Sequence, residues 1–367
     1  MKDHPRFQIT SHQLLFMIVG STIATGILSL PRVASGDAQQ DAWIAVIAGA
    51  VVPFVSLFLM DRLGKFFPDL TIVEMTQLLL GKFIGSIITV LFILYIVFIQ
   101  GIILRSGTEI ISMYSLPKTP ISVTSLLITL VVIYITAKGG KVIGRLNEIL
   151  FFILIFNFVL LVPMPNMIDY TNLLPIGGTG FMGIAKSALP TAFAYGGIEI
   201  LFIAYPMVTR KDKIFKSAIV AVLIIMFLYL QVTITGLLIF GVEAMQLLMW
   251  PVLIILKVIN IPLLNRLEFI FLLLWAAVIV RPVVNHGFMA ALSLTQLFKL
   301  DINKYYFFTV VIISFLIYSV SLIPRNIVEV FKWVEYGGYA FLIFSIGYPL
   351  LLYLTALMRK GKVKQYG

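Results

Sequence analysis

The 367-residue chain has no cysteine, which excludes disulfides, thiolate metal sites, iron–sulfur clusters and cysteine nucleophiles together. Three histidines are too few for a histidine-rich metal centre. Charge is scarce as well: Asp, Glu, Lys and Arg make up only 12% of the residues. A soluble chain draws roughly a quarter of its residues from those four types, so the shortage excludes a soluble protein. No nucleotide-binding signature accompanies the lysines, and no Ser, His and acid stand together for acyl transfer, so neither an enzyme nor an ATP-driven pump is expected. No cofactor and no metal are called for. What fills the chain is apolar, at 60% of residues with a mean hydropathy of +1.06.

Lipid is therefore the expected solvent for most of the surface. A helix needs about 20 apolar residues to cross the hydrocarbon. Runs of that kind lie at about 12–35, 42–61, 83–104, 121–137, 148–165, 185–208, 217–240, 267–291, 305–323 and 337–357. The expectation is one all-α integral membrane domain over 1–367 with ten transmembrane helices. The stretch 71–80 carries Glu74 and Gln77 and reads as an amphipathic connector, and 243–260, interrupted by Pro251 and Lys257, as a re-entrant or surface helix. Residues 1–10 are short and polar, unlike a cleavable signal.

The formal charge of +11 invites a nucleic-acid reading, but cationic loops on one membrane face explain it better. With a cytoplasmic N-terminus, eighteen of the 27 Lys and Arg residues fall on that side and eight opposite, with Arg281 inside a span. Both termini are then expected inside.

Two spans carry interruptions. The first reads HQLLFMIVGSTIATGILSLP, where Gly20 and Gly26 bracket Ser21, Thr22, Ile23, Ala24 and Thr25. The sixth reads AKSALPTAFAYGGIEILFIAYP, with Pro190, then Tyr195, Gly196, Gly197 and Glu199. Glycines and β-branched residues weaken a helix at both places. Glycine in membrane helices is also a packing notch, and each motif alone is compatible with that. Their matching positions, first and sixth of ten, suit a five-plus-five inverted repeat, 12–165 and 185–357. In such folds a pair of discontinuous helices exposes amides and carbonyls to a ligand near the midplane. A small zwitterion would answer both.

Glu199 and Arg281 fall near mid-membrane, where a charge is expensive unless paired or hydrated. They either face the amine and carboxylate of a ligand or neutralise each other; the residues leave both open. Tyr95 and Phe98, at mid-depth on the third span, are candidate wall residues or plain packing. Arg105 with Glu109, and Arg145 with Glu148, read as interfacial pairs, and His286 as a packing residue or proton relay.

Taken in order, Ser11 and Gln13 before GSTIATGILSLP, then GRLNEILF, NLLPIGGTG, FAYGGIEILFIAYPMV and LNRLEFIFLLLW with Arg266, Glu268 and Trp275, the chain resembles the B subunits of spore nutrient germinant receptors. These are distant members of the amino acid, polyamine and organocation transporter superfamily. The resemblance covers nearly the whole chain. It implies a leucine-transporter-type fold in the spore inner membrane, partnered by an A subunit and a lipoprotein C subunit. It further implies that a small nutrient, an amino acid foremost, is sensed in a pocket formed by Thr22–Gly26 and Tyr195–Glu199. A proton-coupled amino acid transporter of the same superfamily is the alternative. Asn285 and Ser293 on span eight replace an adjacent Ser/Thr pair, so sodium coupling is not expected.

Overall fold

The computed structural model describes residues 5–259 and 267–359; Arg266, Lys2, Lys360, Lys362 and Lys364 lie outside them. Among the described residues the chain is helical throughout, and the β pairing consists of an isolated bridge between Ile9 and Val208. The helices are α1 (Ser11–Thr22), α2 (Leu30–Ala38), α3 (Ala42–Gly49), α4 (Val51–Phe66), α5 (Ile72–Leu80), α6 (Lys82–Tyr114), α7 (Ile121–Thr136) and α8 (Gly140–Val159). They continue with α9 (Gly180–Phe193), α10 (Leu201–Ala204), α11 (Ile214–Leu247), α12 (Pro251–Val258), α13 (Leu267–Leu297), α14 (Ile302–Ser321), α15 (Ile327–Leu342) and α16 (Tyr348–Met358).

Among the described residues seven helical segments are long and apolar enough to cross a bilayer, or eight when the bent pair around residues 180–207 counts as one span. Eight of the ten expected crossings are thus carried by length and composition. The first is cut into α1 and α2, of twelve and nine residues, and α7 has sixteen; both fall short of that length.

Local chemistry explains where the helices start. Thr10 and Gln13 form a capping box on α1, and Thr71 and Glu74 form another on α5, each satisfying two amides at a helix start. The fifth expected span starts eight residues early, because α8 runs from Gly140 and leaves Arg145 exposed on its outer face. The tenth also starts early: Asn326 accepts the Glu329 amide and begins α15 at Ile327, ahead of the expected 337.

Side chains divide as a lipid-solvated bundle requires. Phe83, Leu91 and Leu94 of α6, Phe152 and Phe156 of α8, and Phe308 and Phe315 of α14 are exposed. With tails as apolar as leucine outside, close backbone approach does much of the packing, and bare glycines provide it. A side chain on Gly49 would meet the α9 backbone at Ala192 N (3.0 Å) and Ala188 O (3.1 Å). One on Gly101 would overlap Val320 of α14, and one on Gly338 of α15 would overlap the Phe193 ring. The segment before α1 is pinned by Arg6, which donates to the Ala137 and Lys138 carbonyls at the end of α7 and lies over the Tyr306 ring.

Candidate functional site

The first interrupted span breaks between its two glycines and the sixth at its glycine pair. The first loses helical geometry after Thr22: Ile23 and Ala24 are extended, and a 3-10 turn over Thr25–Leu28 leads into α2. The sixth ends its first half at Phe193, passes through Ala194–Gly197, and resumes at Ile198 with a 48° bend. Gly197 has φ +132°, which a side chain rarely adopts.

The two breaks meet. A Cβ on Gly197 would lie 2.5 Å from the Ser21 carbonyl oxygen and 2.7 Å from Thr22 Cα, so the backbones touch with no side chain between them. Tyr229 of α11 spans both. Its hydroxyl donates to the Ala194 carbonyl at 2.7 Å and lies 3.5 Å from the Thr22 carbonyl, while its ring packs 5.0 Å from the Tyr195 ring. Removing that hydroxyl strands carbonyls that have no helical partner. Tyr229→Phe is therefore expected to cost about 1–3 kcal/mol, read as a lowered apparent Tm in detergent; an unchanged Tm would remove Tyr229 from the junction.

Glu199 caps its own break. Its Oε2 accepts the Gly197 amide at 2.7 Å and its Oε1 accepts the Tyr95 hydroxyl at 3.0 Å, all of it buried. A carboxylate at the start of a resumed helix also meets the positive end of that helix's dipole.

Arg281, fully buried on α13, does not pair with Glu199. Pro282 has no N–H to give the carbonyl four residues back, and Arg281 Nε donates to that freed Val278 carbonyl at 3.4 Å. Its two terminal nitrogens have no hydrogen-bond partner among the described residues. Its Cδ lies 3.3 Å from the position of a Gly20 Cβ, three residues before the first break. Thr22 Oγ1 is likewise buried with no partner among the described residues. Open space adjoins the break at Gly26, which is exposed between buried neighbours and where an added Cβ would meet nothing within 4 Å.

Of the candidate residues, Thr22 meets Gly197 directly and Tyr195 packs on the Tyr229 that joins the two breaks, with Ile23, Ala24, Thr25 and Gly196 next to them in the chain. Gly26 opens this junction, Arg281 flanks it, and Tyr95 reaches it through Glu199. Phe98 is turned elsewhere, stacked 5.5 Å from Trp333 of α15. A separate apolar cavity of about 650 Å³ lies between α8 and α11, lined by Phe151, Phe158, Val220, Phe227 and their neighbours and by none of the candidate residues. Sequence reading missed Tyr229, whose signal is a lone hydroxyl in IIMFLYLQV, and Asn147, which stands in GRLNEILF beside the charges that drew attention.

A family model described as Spore germination protein matches residues 8–330. Spore germination protein YndE of Bacillus subtilis (strain 168) is 25% identical over 360 residues, covering 97% of this chain and 98% of its own length. Spore germination protein GerQB of Bacillus cereus is 26% identical over 354 residues, covering 93% and 95%. Among solved structures, MhsT in complex with L-phenylalanine superposes with a TM-score of 0.62 at 15% identity, over 95% of this chain and 99% of that one. A Na+-coupled sialic acid symporter in a substrate-bound outward-open state gives 0.65 at 11% identity, over 92% and 78%. At such identities the likeness carries the fold alone, which is the leucine-transporter type with its first and sixth helices broken.

Proposed function

We propose, from the premise that the chain belongs to the spore germination protein family, that this multi-pass membrane protein is the nutrient-sensing subunit of a germinant receptor. Neither the family nor the fold neighbours are enzymes, and the chain is not one. In this reading a small germinant, an amino acid foremost, binds where the two broken helices meet. The observation that carries it is the buried guanidinium of Arg281 beside the first break, whose two terminal nitrogens, like the Thr22 hydroxyl at that break, have no hydrogen-bond partner among the described residues. A buried charge without a partner is costly, and a ligand carboxylate is the group that would relieve it. Because the protein's own groups already occupy both oxygens of Glu199, that residue holds the break in shape and offers a ligand amine only its remaining lone pairs.

Binding favours one arrangement of the broken helices, and that shift passes to the A and C subunits. The protein sits in the spore inner membrane with both termini on the cytoplasmic or core side, and its two five-helix repeats span 12–165 and 185–357. A thermal-shift screen of amino acids and sugars on the detergent-solubilised chain tests this. A ligand at about 100 times its Kd stabilises the folded form by about 2.7 kcal/mol. An amino acid that raises the apparent Tm supports the sensor; a flat response across the set refutes it. The transporter fold of the neighbours favours a second reading, proton-coupled amino acid transport. Liposomes separate the two: a transporter accumulates labelled amino acid under a pH gradient, and a sensor binds without net uptake.

A further inference from the structure

A second buried constellation lies next to the first break and is not used by the site above. Asn285 of α13 and Asn147 of α8, both fully buried, form a reciprocal carboxamide pair. Asn147 Nδ2 donates to Asn285 Oδ1 at 2.7 Å, and Asn285 Nδ2 donates back to Asn147 Oδ1 at 3.1 Å. Asn285 Nδ2 also reaches Ser21 Oγ at 2.9 Å and the Met17 carbonyl at 3.2 Å, both on α1. Asn147 Nδ2 donates to its own-helix Ile143 carbonyl at 2.9 Å. Main-chain carbonyls only accept, so Met17 and Ile143 fix which way round both amides stand. Gly20 makes room for the pair, since a side chain there would overlap Asn147 Oδ1.

One nitrogen from α13 is thus surrounded by three oxygens: a backbone carbonyl and a hydroxyl from α1, and an amide oxygen from α8. A ring of neutral oxygens at a helix junction is the donor set a hard monovalent cation takes. Here the partly positive N–H₂ group fills it, and its two protons serve all three oxygens. We infer that the Asn285 carboxamide is a built-in substitute for a cation at the junction of α1, α8 and α13. It clamps the N-terminal half of the broken first helix by neutral hydrogen bonds, so that half stays docked whatever monovalent cation is present. This goes beyond the ligand reading and stands without it.

Ion titration of the full chain in detergent is the test. The wild type is expected to melt at the same temperature in lithium, sodium, potassium and choline chloride at equal ionic strength. Asn285→Asp replaces the nitrogen with a charged oxygen and completes an all-oxygen cage. Its apparent Tm is expected to rise by at least ~2 °C in saturating sodium over choline. Adding Ser21→Ala removes one oxygen and is expected to abolish that rise. Because the chain has no cysteine, Leu14→Cys on α1, at a fully buried position, gives a single reporter thiol. It is expected to resist a maleimide in the Asn285 protein and to label at least ~10-fold faster with Asn285→Leu, as local opening exposes it. A sodium-specific stabilisation of the wild type, an Asn285→Asp variant indifferent to sodium, or equal labelling with and without Asn285 would each overturn the inference. Should Asn285→Asp fail to fold, the wild-type titration and the labelling comparison decide.

Discussion

Gly197→Ala is expected to unseat the junction of the two broken helices, lowering the apparent Tm and removing any ligand-dependent shift. Two costs combine. At φ +132° the backbone conformation is one that side chains avoid, and the new methyl would stand 2.5 Å from the Ser21 carbonyl oxygen. That neighbour is main chain and cannot rotate away. Together they are worth about 3–5 kcal/mol, at the severe end for a single substitution. Gly26→Ala is the control, because a methyl there meets nothing within 4 Å and its φ is unexceptional. It should leave the melting temperature close to wild type. Equal melting of Gly197→Ala and wild type would mean that the breaks do not touch.

The second large effect is expected at Arg281, where stability and binding should move in opposite directions. Arg281→Met keeps most of the side-chain volume and removes a buried charge whose terminal nitrogens have no partner among the described residues. The ligand-free protein should gain on the order of 2 kcal/mol. If a ligand carboxylate is what the guanidinium serves, affinity should fall about 100-fold, the loss typical of removing one partner of a buried charged hydrogen bond. A variant that melts higher and still shifts with ligand would leave Arg281 outside the site. A variant that melts lower would show that the terminal nitrogens already have a partner.

The breaks were legible in the sequence because they depend on local chemistry: glycines and β-branched residues weaken a helix wherever they sit, and the matched positions gave them meaning. The contacts that fix the junction depend on helix rotation, which one sequence does not contain. Phe98 and Tyr95 lie three residues apart on α6 and were equally plausible walls; rotation turned Phe98 onto Trp333 and Tyr95 onto Glu199. Glu199 was visible as a costly mid-membrane charge. That it caps the Gly197 amide three-dimensionally close to Tyr95 was not, and neither was the absence of an ion pair to Arg281. Span limits set by hydropathy missed α8 and α15 by eight and ten residues, because helices extend through charged turns when the charges face outward. The Asn326 and Glu329 spacing was a readable start signal for α15.

The most direct measurement is a cryo-EM map of the protein in saturating amino acid germinant. Density for the ligand is expected between Ser21–Gly26 and Ala194–Glu199, with its carboxylate within hydrogen-bonding distance of Arg281. Ligand density elsewhere, in the apolar cavity between α8 and α11 for example, or a junction left empty while the protein is saturated, would contradict it.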